Sequence, residues 1–85
     1  KAVARVLEEK EFAEALENKL LEEVQELRSE SDPAKKQEEV ADIYEVLDAL
    51  IMTRGFEKKR ITALQEEKRQ ERGGFTKRLF LDHVE

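Results

Sequence analysis

The stretch KLLEEVQELRSESDPAKKQEEVADIYEVL, residues 19–47, decides the fold. Leu20, Val24 and Leu27 continue a row begun by Phe12 and Leu16, and Ala13 lies on the same stripe. Steps of three and four residues are the period of an amphipathic helix. Ser31-Asp32-Pro33 then interrupts the pattern. Ser or Asp is a good helix N-cap, and a proline at the first helical position lacks only an N–H that would find no helical partner. Beyond the break, Val40, Ile43, Tyr44, Val46, Leu47, Leu50 and Ile51 return to a helical period. They cover more than a narrow stripe, so this element is expected to be the most buried. The spacing predicts a helix over 10–28 or 29, a break at 30–33 and a second helix over 34–53. So short a connection makes the two antiparallel neighbours.

Gly55 suits the position just past the second helix. A third helix is expected over 56–71, with Phe56, Ile61, Ala63 and Leu64 as its apolar anchors. It is strongly charged and belongs on the outside. Gly73-Gly74 should stop it. Residues 2–7, Ala-Val-Ala-Arg-Val-Leu, lean towards an extended segment. The tail over 75–84 carries Phe75, Leu79, Phe80 and Leu81, and a short strand beside residues 2–7 is expected there. The class is all-α: an antiparallel helical hairpin, a third helix, and short extended N- and C-terminal segments in a single domain, 1–85.

Composition narrows the function. The chain has 85 residues, 44% of them charged, against about 25% in an ordinary domain. Its 39% apolar content includes no run approaching the ~18 residues of a membrane span. No signal-peptide pattern shows, so no membrane partner is expected. The absence of cysteine excludes a disulfide scaffold or a thiolate metal site and fits a reducing, cytoplasmic setting. The net charge of −5 argues against a generic or sequence-specific nucleic-acid binder. That total conceals an acidic segment over 1–53, net −8, and a basic one over 54–85, net +3. Enzymes acting on nucleotides need both acids for a metal and bases for phosphates. A lone chain this size buries only about 60–65% of its unfolded surface, which invites partner chains to complete the core.

Helix one contains Glu22, Glu23 and Glu26; helix two contains Glu38, Glu39 and Asp42. Glu26 and Glu39 stand equally far from the Asp32/Pro33 break, and so do Glu23 and Asp42. In an antiparallel hairpin, equal distance from the turn means equal height. At ~100° per residue, Glu23 falls inside the arc of Leu16, Leu20 and Leu27, with Lys19 and Glu26 at its edge. Glu22 points further out. Glu39 borders Ile43 and Val46, and Asp42 lies one step further round. Carboxylates gathered at a core margin repel each other and lose hydration. Lysine or arginine side chains can offset this, and so can a divalent metal; all-oxygen donors suit Mg²⁺ or Mn²⁺. The competing possibility is a solvated acidic face, with Lys19 merely paired to Glu22 or Glu23 along the helix. His83 is the only histidine, so one chain cannot build a histidine-based zinc site.

The strings Lys19-Leu20-Leu21-Glu22-Glu23-Val24-Gln25-Glu26 and Glu38-Glu39-Val40-Ala41-Asp42 resemble the E-E-x-x-E…E-x-x-D signature of the MazG-like all-α nucleoside triphosphate pyrophosphatases. The segment Lys68-Arg69-x-Glu71-Arg72-Gly73-Gly74-Phe75-x-Lys77-Arg78 is similar to a branch labelled phosphoribosyl-ATP pyrophosphohydrolase-like, or house-cleaning nucleotide pyrophosphatase. The resemblance spans about Val6 to Glu85. It implies a hairpin completed as a four-helix-type bundle by homo-oligomerisation, as a homodimer or homotetramer. It also implies cleavage of a nucleoside triphosphate between its α and β phosphorus atoms, giving a monophosphate and pyrophosphate. By the resemblance, Glu23, Glu26, Glu39 and Asp42 are the Mg²⁺ ligands. Glu22 is a candidate to orient the water, and the catalytic group is Glu22, Glu23 and Glu39. Lys19, on the face of Glu23 and Glu26, is a candidate phosphate contact. Lys68, Arg69, Arg72, Lys77 and Arg78 form the rest of the pool, with Lys68 and Arg72 on one helix face. Gly73 and Gly74 can let the backbone approach a phosphate or be a simple helix stop and turn, and the same basic residues can instead be surface pairs for Glu66, Glu67 and Glu71. Branch members carry a further basic segment ahead of the part that begins here at Lys1, so an N-terminally truncated domain is expected.

Two other functions remain open at this point. One is a non-catalytic helical oligomerisation or adaptor module whose acidic faces serve solubility. The other is the phosphoribosyl-ATP pyrophosphohydrolase of histidine biosynthesis.

Overall fold

The Asp32 side chain accepts a hydrogen bond from the Ala34 N–H at 3.0 Å, and Pro33 is the first helical residue behind it. This cap starts the second of three helices in the computed structural model, which describes residues 7–75: α1 (Glu9–Ser29), α2 (Pro33–Thr53) and α3 (Lys58–Arg72). No strand occurs among the described residues. The expected extended segments fall almost wholly on residues 1–6 and 76–85, outside the described residues.

Glu9 and Glu11 in the first turn of α1 and Arg28 in its last complement the helix dipole. In the turn, the Glu30 carboxylate accepts from the Ser31 N–H at 3.0 Å and the Asp32 N–H at 3.2 Å. Lys36 of α2 donates to the Leu27 carbonyl at 2.7 Å, serving one of the carbonyls that the end of α1 leaves without a helical partner. The hairpin is therefore closed by polar contacts on both sides of Asp32.

Packing is almost wholly between α1 and α2. Ala13 and Val46 are its buried apolar residues among those described, and Leu16, Leu20, Leu27, Ile43 and Leu50 are half-buried beside them. The second helix, expected to be the most buried element, keeps Val46 buried and Ile43, Leu50 and Ile51 half-buried, yet part of its apolar surface stays open within one chain. Val40, Tyr44 and Leu47 are exposed, at 38%, 67% and 37%. Their spacing of four and three puts them on one stripe of α2. At ~100° per residue that stripe lies on the other side of the Val46 contact from Asp42.

The third helix begins at Lys58, two residues later than its periodicity suggests. The reason is the end of α2. Gly55, at φ +70°, donates to the Met52 carbonyl, and Phe56 donates to the Ile51 carbonyl. This pair of bonds is a Schellman closure, and it uses Phe56 as part of the turn. Phe56 is 56% exposed, so it does not anchor α3. As expected, α3 lies outside: it has no buried residue, and Ile61 and Leu64 are half-buried. Lys58 reaches Asp48 of α2 at 3.3 Å.

Candidate metal centre

The hairpin brings Glu23 and Glu26 of α1 against Glu39 of α2, with one carboxylate oxygen from each within 4.8 Å of the others. One turn of α1 separates Glu23 from Glu26, so both can address a single residue across the interface. Their surroundings differ. Glu23 is buried at 5% exposure, Glu39 is half-buried and Glu26 is exposed. The group lies on the margin of the α1–α2 contact, part inside and part in water.

Burial of charge here is incompletely compensated. Glu23 Oε1 lies 3.4 Å from the Lys19 ammonium, but Glu23 Oε2 and Glu39 Oε2 are buried and accept no hydrogen bond. A buried carboxylate oxygen without a partner is costly. Loss of water above all, then the carboxyls of Glu26 and Glu23 beside it, pushes Glu39 up to about 7. The charge of Glu22 first, then a hydrogen bond to Glu23, raises the Lys19 ammonium above its ordinary value.

Those orphaned oxygens are a test of whether a cation fits. Two buried acceptors face no donor, a third carboxylate is close by, and every donor atom is oxygen. That chemistry suits Mg²⁺ or Mn²⁺ rather than a softer metal. Asp42 is exposed and is not among the three carboxylates that meet. Glu22 is also outside the group; it is exposed and holds Lys19 at 3.5 Å.

The basic segment is placed elsewhere. Lys68, Arg69 and Arg72 are exposed on the C-terminal half of α3, which barely touches the hairpin. Arg69 pairs with Glu66 at 2.7 Å, while Lys68 and Arg72 make no ion pair among the described residues. Gly73 takes φ +75° and caps α3, so its role within the described residues is the helix stop. Lys77 and Arg78 lie outside the described residues. A cross-helix bridge escaped the sequence reading: Arg54 reaches Glu17 at 2.8 Å, tying the open end of the hairpin. Distance from the turn gave no signal of it: Arg54 stands six residues further from the break than Glu17 does.

Comparison with family models, with curated proteins and with solved structures gives no match to the chain. No helix among the described residues is long and apolar enough to cross a membrane.

Proposed function

We propose that the chain is a Mg²⁺-dependent nucleotide pyrophosphohydrolase, cleaving a nucleoside triphosphate or related nucleotide between its α and β phosphates. One observation carries this reading: three carboxylates from two helices converge, and two of their buried oxygens have no hydrogen-bond partner. The resemblance of the acidic pattern to MazG-like pyrophosphatases supports the reaction class. Glu23, Glu26 and Glu39 hold the metal, and Asp42, one turn along α2 from Glu39, completes the oxygen set. When bound, Mg²⁺ supplies the charge that neutralises phosphate oxygens and favours attack by water. Glu22, outside the converging group and exposed, orients that water and accepts its proton. Lys19 and the basic pool of Lys68, Arg69, Arg72, Lys77 and Arg78 bind the remaining phosphate charge.

The basic half of α3 stands apart from the carboxylates of its own chain, and the apolar stripe of α2 is open. Both features support a homodimer or homotetramer with a four-helix-type core, in which α3 of one chain can serve the hairpin of another. A panel of ordinary, deoxy and damaged nucleotides plus phosphoribosyl-ATP, with Mg²⁺ present, tests the reaction. The expected result is pyrophosphate release from at least one of them, abolished by Glu39→Gln or Asp42→Asn. No turnover across the panel would leave the adaptor module as the better reading. Turnover confined to phosphoribosyl-ATP, with growth of a histidine auxotroph restored, would favour the biosynthetic enzyme.

A further inference from the structure

Lys19 stands one turn before Glu22 and Glu23 on α1, its ammonium 3.5 Å from Glu22 Oε1 and 3.4 Å from Glu23 Oε1. Among the described residues it is the only cation paired with the carboxylate group. The two contacts differ in kind. The Glu22 side chain is 59% exposed, whereas that of Glu23 is 7% exposed. Both distances exceed the ~2.7–2.9 Å of a tight charge-assisted hydrogen bond. The ammonium is thus shared between a buried and a solvated carboxylate and locked on neither. Its own side chain is 48% exposed, so its head can move into water at little cost.

A divalent cation bound to Glu23 would stand close to this ammonium and repel it. Glu22, already in contact and facing solvent, offers the ammonium an alternative partner. We propose that Lys19 is a displaceable counter-ion: it neutralises Glu23 until a divalent metal takes that carboxylate, and then turns towards the phosphates of an arriving nucleotide. This role presupposes the metal centre proposed above. It makes metal binding a competition with Lys19, and it makes Lys19 available to substrate only after the metal is in place.

Calorimetric titration of MgCl₂ into four proteins tests it: wild type, Lys19→Met, Lys19→Arg and Lys10→Met. Lys19→Met keeps most of the stem and removes the charge. It should bind Mg²⁺ about two- to fivefold more tightly than wild type, the scale of an exposed ion pair. Lys19→Arg should keep the wild-type affinity, and so should Lys10→Met, which changes net charge far from the cluster. In the wild-type protein, the Lys19 ammonium resonance followed by NMR should shift with the midpoint of Mg²⁺ binding. This second readout needs no variant to fold. Equal or weaker Mg²⁺ binding by a folded Lys19→Met, or an ammonium signal that ignores Mg²⁺, overturns the counter-ion role and leaves the metal centre standing. Absence of Mg²⁺ binding by wild type removes the metal centre, and the role with it.

Discussion

Glu39 is where the electrostatic strain of this hairpin is concentrated. A carboxyl held up to about 7 favours its protonated form in the folded state. Its contribution to stability is therefore complete below its ordinary value of 4.5 and is lost as pH rises through about 7. Without metal, Glu39→Gln should melt higher than wild type at pH 8, and the difference should shrink towards pH 5. Mg²⁺ at pH 8 should reverse the order, because it stabilises only the protein that binds it. Scanning calorimetry at the two pH values, with and without Mg²⁺, reads both effects; a Glu39→Gln that melts lower at pH 8 without metal contradicts the account. Binding at pH 6 must also displace a proton from Glu39, so Mg²⁺ affinity should rise between pH 6 and pH 8. The meeting of Glu26 with Glu39 was legible in the sequence, because equal distance from a tight turn sets equal height. Height alone paired Asp42 with Glu23, but rotation already set Asp42 one step further round than Glu39. Three residues beyond Glu39, Asp42 is turned back by ~60°, and it is exposed. Glu39 consequently meets both Glu23 and Glu26.

At the scale of elements, the hairpin depends on a few local contacts around Asp32. Its side chain satisfies the Ala34 N–H, and Lys36 satisfies the Leu27 carbonyl. Replacing Asp32 with Ala should lower stability by about 1 kcal/mol, the usual cost of losing an N-cap. Gly55→Ala should cost a similar ~1 kcal/mol, because its φ of +70° opposes a side chain. Urea unfolding checks both, and an unchanged midpoint in either variant would contradict the assigned role. The Asp32 cap and the Gly55 turn were readable because capping and proline chemistry act over three or four residues, whereas the Lys36–Leu27 contact, nine residues apart, was not. The start of α3 was misjudged for a related reason. Phe56 fits a helical apolar pattern, but its N–H is committed to the Ile51 carbonyl, so the Schellman closure sets it outside α3.

The described residues form a hairpin with an outlying helix and a sparse core, in which Ala13 and Val46 are the buried apolar residues. The exposed stripe of Val40, Tyr44 and Leu47 suits a second hairpin packed alongside. Sedimentation should find wild type as a dimer or tetramer, and Leu47→Glu should shift it towards monomer and lower its melting temperature. A wild-type monomer at tens of micromolar concentration would contradict the proposed assembly. The helical class was legible from periodicity alone, whereas the separation of the basic segment from the acids was not. Sequence shows that the two charge groups exist but not that α3 barely touches its own hairpin. Everything proposed about catalysis rests on a metal bound by carboxylates from both helices. Its most direct test is crystals grown with Mn²⁺ and measured at the manganese edge. The account predicts an anomalous peak about 2.1–2.2 Å from oxygens of Glu23 and Glu39, the distance of a hard-cation bond; ordered side chains with no peak between α1 and α2 would contradict it.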